Sequence, residues 1–321
     1  MTSVAYGIAL PASRGVLTAQ AAPSWLPAGK TIFADIPNGR YWAAGRLRPD
    51  LASWLAAVGA TFSGEPGRTY TTAANLVAAV GLDQPRITHV GGVPHLLYEP
   101  AATNVLPQSN AFNLWSVQLA TVATGIPGPD GATSAARLVE DTSAIYHRVQ
   151  QTSASTAGQV AGSVWAKAAE RSFLCINDNA GNDLFLNAGD GTYGNVAAKY
   201  TPAPTVAYAG GWYRFSFTFV AIANQMINVF VAQANGVRNY AGDGTSGICI
   251  YGTQLEAGAA ASSYIATTSA AAPRAAESIG GIVAPGNLSV TFDDNSTQVI
   301  SAANFANPAN LSRSRIKGIA A

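Results

Sequence analysis

The chain has 321 residues, enough for a large core and for more than one domain. Only 11% of them are charged, against about 25% in an ordinary soluble domain, and the net charge is +1. That balance excludes a broad electrostatic hold on nucleic acid or on an anionic membrane.

No stretch approaches about 18 uninterrupted apolar residues, so no membrane-spanning helix is expected. The 32 glycines suit tight β-turns. So little surface charge is a solubility risk for a free monomer and a smaller one for a subunit held in an assembly. The alanine excess and the four lysines (Lys30, Lys167, Lys199 and Lys317) fit a β-rich protein from a GC-rich genome equally well.

Residues 1–60 differ from the rest. The first 22 carry small apolar residues, but Pro11 and Arg14 interrupt them and no basic flank precedes them. They do not read as a secretory leader. Trp25, Tyr41, Trp42 and Trp54 crowd together, and Pro11, Pro23, Pro27 and Pro37 exclude long regular structure. One helix is predicted, with Pro49 in its first turn, Asp50 beside it and Gly59 after its end. Leu47, Leu51, Trp54, Leu55 and Val58 share one face at helical spacing. An apolar segment with few charges and no evident fold of its own reads as a docking element for a larger particle.

Residues 61–105 alternate short β-prone runs with Gly and Pro turns, which reads as a β lead-in. Residues 106–273 are the best-defined unit. Tyr213, Phe215, Phe217 and Phe219 alternate with Arg214, Ser216 and Thr218. Period two puts the rings on one face and the polar groups on the other. The runs 226–231 and 247–251 are further strands, and Gly258 ends the closing one. Asp130-Gly131, Asp190-Gly191 and Asp243-Gly244 are turn signals, since Gly accepts positive φ and Asp bonds its own backbone. Short strands joined by such turns predict an antiparallel sandwich. Cys175 and Cys249 sit in apolar runs and read as buried thiols rather than a disulfide. Residues 274–321 hold a hairpin, 287–292 and 297–301 around a polar turn, then Arg313, Arg315 and Lys317. An isolated hairpin is marginal in water. It needs a partner, either threefold packing about a fibre axis or its own sandwich.

Several motifs occur in a fixed order. They are Pro85-Arg86-Ile87, the run Leu96 to Leu106 (Leu-Leu-Tyr-Glu-Pro-Ala-Ala-Thr-Asn-Val-Leu), and the run Ser109 to Trp115. Then come Pro129 to Leu138, His147 to Gln150, Ser163 to Lys167, Gly211 to Arg214, Gly242 to Gly247, and the closing run to Arg274. Together they resemble the carbohydrate-binding-module-like jelly rolls of bacteriophage fibre and virion proteins, over roughly Phe62 to Arg274. The chain departs from the pattern at His95, where glycine is usual, and at Tyr98, where an aliphatic residue is usual. The resemblance implies an all-β jelly-roll sandwich (106–273), with the N-terminal docking segment and a C-terminal β-hairpin tail (274–321). It also implies a virion location, a homotrimer, contact with other virion proteins such as capsid, portal or tail, and adhesion to a host surface glycan. Related carbohydrate-binding jelly rolls often hold a structural calcium near the closing strand, which singles out Glu256 as a ligand.

Catalytic signatures are missing. No phosphate loop, dinucleotide fingerprint, His-Glu-x-x-His or Gly-x-Ser-x-Gly occurs. His89, His95 and His147 lie in unrelated contexts. Glycoside hydrolysis needs two carboxylates a few ångströms apart. Glu99, Glu140, Asp141, Asp178, Asp183 and Glu256 are candidates, and nothing in the sequence pairs them. For sugar binding the aromatic candidates are Trp115, Tyr146, Trp165, Tyr193, Trp212 and Tyr240. Tyr193 and Tyr240, beside Asp-Gly turns, are favoured, with Trp115 next. The expected role is therefore a non-enzymatic phage structural protein that displays a glycan-binding jelly roll. The alternatives are a free or prophage-encoded carbohydrate-binding module and, more weakly, a polysaccharide-degrading tailspike.

Overall fold

A computed structural model describes residues 20–154 and 157–321. The rejected leader reading and the first third of the segment read as a docking element fall on residues 1–19, outside that range. The protein is mostly β, in curled sheets.

Twelve strands build the central unit. They are β1 (Ser116–Gln118), β2 (Ala120–Ile126), β3 (Ala135–Glu140), β4 (His147–Thr152), β5 (Gly158–Lys167) and β6 (Phe173–Asn177). Then follow β7 (Asp183–Asn187), β8 (Thr192–Val196), β9 (Thr201–Tyr208), β10 (Trp212–Ala221), β11 (Met226–Ala232) and β12 (Gly247–Ala257). One sheet runs β1-β4-β11-β6-β7-β8 and the other β2-β3-β12-β5-β10-β9. Both contribute side chains to one core: Val149, Ile176 and Val229 from the first, Leu138, Val164 and Ile248 from the second. Phe215, Phe217 and Phe219 of β10 are buried in it, each worth about 2 kcal/mol. Arg214, Ser216 and Thr218 face the other way, as period two requires.

Each of the three Asp-Gly turns forms. Gly131, Gly191 and Gly244 have φ near 78–79°, and the preceding Asp accepts an N–H bond two residues on. Cys175 and Cys249 are buried free thiols on different outer faces.

The closing strand β12 extends past Tyr251 and carries a bulge. Ser163 of β5 pairs with Gln254 but Trp165 pairs with Tyr251, so β12 has one extra residue there. Gly252, at φ 57°, absorbs it. Before the bulge Ile248 and Ile250 face the core; after it Leu255 does. Without this change of phase Glu256 would point into the aromatic core.

The outer face of the β2–β9 sheet carries its own aromatic cluster. Trp165 meets Tyr208, Tyr251 and Tyr264 edge-on at 5.5–5.7 Å. Segments 69–90 and 259–268 cover part of this face.

The two chain ends form a second unit. Phe33–Asp35 pairs with Arg40–Ala43 on one side and with Arg315–Ala320 on the other. Arg315–Ala320 also pairs with Leu288–Phe292, which pairs with Thr297–Ile300. The segment read as a docking element and the segment read as a tail thus share one sheet and one core. Trp54, Phe292, Phe305 and Ile316 close the core, all fully buried.

The predicted helix spans Leu51–Ala57, with Asp50 as N-cap and Ser53 returning the capping-box bond. Pro49 precedes the cap instead of opening the first turn. Leu47 lies in the preceding strand and is exposed, so it leaves the predicted face. The Tyr98 hydroxyl accepts from Ile279 N and donates to Ala306 O, inside the second core.

Candidate functional site

The four residues favoured from sequence do not converge. Trp115 is buried against Phe112 in the central core, and its Nε1 donates to Gln108 O at 2.9 Å. Tyr193 sits on β8, half-buried and edge-on to Phe215. Its hydroxyl donates to Ser216 O at 2.6 Å, and burial pushes its pKa up to about 12. Tyr240 is buried and donates to Glu140 at 2.5 Å. Both tyrosines do lie next to turns. Each hydroxyl has a protein acceptor; the Tyr240 ring is buried, and the Tyr193 ring is half-buried against the core. For Tyr240, nearness to a turn did not bring exposure.

Glu256 does not fit calcium. Its oxygens accept from Gln254 Nε2 at 2.6 Å, Ser262 N at 2.7 Å and Ser262 Oγ at 2.7 Å. Calcium needs several oxygen ligands, and here N–H and O–H donors occupy the carboxylate. Among the described residues no group of three His, Cys, Asp or Glu side chains is arranged for a metal. Among them, too, no helix is long and apolar enough to cross a membrane.

The feature that does gather binding chemistry is a cavity of about 460 Å³. Its floor is the outward face of β5, β9 and β10: Trp165, Tyr208, Arg214, Ser216 and Thr218. Segments 69–71, 88–90 and 259–264 form its walls, and Arg313–Arg315 of the second unit stand at one side. A second cleft of about 540 Å³ shares Glu99, Ala260–Ser262 and Arg313–Arg315 with it. Such volumes suit small-molecule sites, which run from about 300 to 1,000 Å³.

Its polar groups are unevenly satisfied. Arg313 pairs with Asp293 at 2.7 Å, and Arg315 with the same carboxylate at 3.3 Å. Arg214 stacks over Trp165, 4.4 Å from the ring centre. Its Nη2 donates to Ser163 Oγ at 2.9 Å and Ser262 O at 2.8 Å. Among the described residues it forms no ion pair, and its buried Nε has no acceptor. Desolvation lowers its pKa, with Tyr208, Glu256 and Glu99 acting the other way. The Nε1 of Trp165, itself almost fully buried, also lacks an acceptor among the described residues.

Beside the cavity lies a buried ionic cluster that joins the two units. Arg86 bonds Glu99 and Glu277 together, Arg274 reaches Glu99 at 3.0 Å, and Arg68 pairs with Glu277. Burial alone would raise the pKa of Glu99. Arg274, Arg86 and the Ser263 donors outweigh it and hold the carboxyl at about 2. A carboxylate so firmly ionised is a poor proton donor at neutral pH.

Trp165 had been among the aromatic candidates; Arg214 had only been assigned to the polar face of its strand. Trp165 and Arg214 are register partners across β5 and β10. Outward parity in both strands was the available signal, and the strand pairing was not legible. Compared with known proteins, the chain matches no family model and no curated protein.

Proposed function

We propose that this chain is a structural protein of a bacteriophage virion, a head or tail fibre or decoration protein, that presents a glycan-binding jelly roll to the host surface. One observation carries the reading. In chain order β3, β4, β5, β6, β7, β10, β11 and β12 form two four-strand layers, β3-β12-β5-β10 facing β4-β11-β6-β7. That interleaving supports a jelly-roll reading, and the added outer strands do not interrupt it. The motifs on which the resemblance to phage virion proteins was read fall on it: Ser163 to Lys167 on β5, Gly211 to Arg214 leading into β10, Gly242 to Gly247 opening β12.

The second unit supports attachment and self-association. Among the described residues Arg46–Arg48 and Thr297–Ile300 are edge strands of its sheet, with Gln20 bonded to Leu47 on the first; Val299 is exposed on the second, and Val283 is exposed in a loop of the same unit. Edge strands and uncovered aliphatics favour contact with another chain. The assembly we assign is a homotrimer bound to capsid, portal or tail through this unit. The cleft supports binding over catalysis, because its one lining glutamate is locked in arginine pairs.

Microscopy and mass spectrometry of purified particles test this reading. The expected result is a fixed copy number in a threefold spike, with the sandwich outermost. Absence from particles, together with glycan binding by the free chain, would assign it as a separate carbohydrate-binding module. Release of reducing sugar from host capsule would assign it as a tailspike enzyme.

A further inference from the structure

We propose that the flank of the sandwich formed by β1 and β2 pairs with the same flank of a second copy of this chain, β2 against β2 in antiparallel. The contact is separate from the second unit, through which the virion reading attaches the protein, and it holds wherever the protein resides.

The two sheets end in four edge strands, β1, β8, β2 and β9. An edge strand leaves a row of backbone N–H and C=O groups unpaired, and proteins blunt such rows with short strands, proline, bulges or covering groups. Three of the four are blunted here. β9 carries Pro202 and Pro204 and a register shift after Ala203. β8 has a register shift against β7, and the Asn235 side chain accepts its Asn195 N–H at 2.6 Å. β1 is only three residues long. β2 is the exception. Its seven residues include no proline and no charge, and the bulge at Gly125 bends only its far end. β3 pairs with one side of it, and among the described residues no bond from a loop or cap reaches its backbone. Thr121, Ala123 and Thr124 are exposed along it.

The side chains around this edge point to the partner. β1 and β2 follow one another in the chain but end opposite sheets, so both edges open on one flank. Leu114, Val117 and Leu119, which lead into β2, are exposed aliphatics on that stretch. An open edge is matched by another extended strand through main-chain bonds. No Asp, Glu, Lys, Arg or His occurs in residues 100–129, so the flank holds no charge to attract a charged partner and none to repel its own copy. Each copy brings the same neutral strand and the same aliphatics, and the flank is its own complement. Antiparallel pairing of one edge with itself is a twofold contact and closes at two copies. It joins two sheets into one continuous sheet. Together with threefold packing of the second unit it gives an even-numbered assembly.

The test is sedimentation of the full chain over a range of concentrations, beside a variant with Thr121→Glu and Ala123→Glu. Both positions are exposed, and Arg137 is the register partner of Ala123, so a lone copy tolerates the acids. Across the contact they face their own kind. The expected parent mass is twice that of the variant at the same concentration, with the dissociation constant of the pair raised at least tenfold in the variant. Ala207→Glu, on the proline-bearing edge, is expected to leave the mass unchanged. Amide exchange within residues 120–124 should be slower in the parent than in the variant. If the double variant does not fold, Thr121→Lys alone takes its place. Equal masses for parent and variant would overturn the proposal. Slow exchange in both would then mean that the chain covers its own edge, and fast exchange in both that the edge stays in water. Either result leaves the glycan-binding and virion readings standing.

Discussion

The Arg86 guanidinium meets the Glu277 carboxylate side-on, with Nε 2.8 Å from one oxygen and Nη2 2.8 Å from the other, and both side chains are shut away from solvent. Two buried charges in this geometry stabilise each other only as a pair. Removing one strands the other in a low-dielectric site. Arg86→Met is therefore expected to cost about 3–5 kcal/mol, read from urea unfolding. Arg86→Lys keeps the charge but loses the fork, and is expected to fall between. A loss below about 1 kcal/mol for Arg86→Met would show that Arg68 alone suffices for Glu277.

Acid should act at the same junction. Glu99 has a folded pKa of about 2 against an ordinary value of 4.5. A depressed carboxyl stabilises the fold above its unfolded pKa, and that contribution fades as pH falls through the folded value. The window is thus about pH 4.5 down to 2, and the contribution is on the order of 3 kcal/mol. Thermal unfolding across this range should show a steep decline. In Glu99→Gln the decline should be shallower, from a lower starting stability at pH 7. Parallel curves for the two proteins would remove Glu99 as the titrating group.

Local patterns were readable and long-range meetings were not. The Phe215–Phe219 alternation, the Asp-Gly turns and the Asp50-capped helix each depend on residues a few positions apart. Phe33–Asp35 pairing with Arg315–Ala320 depends on chain ends that meet only after everything between has folded. The same holds for the cluster of Arg68, Arg86, Glu99, Arg274 and Glu277. Arg86, Glu99 and Arg274 stood in the quoted runs and Arg68 and Glu277 did not, and nothing in the sequence pointed to a shared site. Tyr240 marks the limit on the functional side. Its neighbouring turn was correct, while its ring is covered by contacts with His147 of β4 and Arg171 of the loop before β6.

Tyr98 offers a smaller and cleaner test. Its hydroxyl is the acceptor for the buried Ile279 N–H, at 2.9 Å. Tyr98→Phe keeps the ring against Phe305 and leaves that donor without a partner. The expected loss is about 1–3 kcal/mol, since an unmet buried donor carries its desolvation penalty. Amide exchange at Ile279 should quicken at the same time. Unchanged stability would mean that water or another acceptor replaces the hydroxyl.

Gly252 is the position on which the phase of the closing strand turns. Its φ of 57° is the left-handed region, which disfavours any residue with a Cβ. A Cβ built there would also lie 3.0 Å from the Trp165 ring. Gly252→Ala therefore meets two penalties, backbone strain and a crowded neighbour, for a combined cost of about 2–3 kcal/mol. The chain has one escape, which is to lose the bulge. That would slide β12 by one residue, turning Glu256 inward and Leu255 outward, and would cost far more than the strain it relieves. The variant should thus be destabilised but keep the native register. Trp165 fluorescence would shift with the crowding, and denaturant unfolding would read the cost. A variant as stable as the parent would mean that the bulge does not need glycine and that the parity change in β12 is enforced elsewhere.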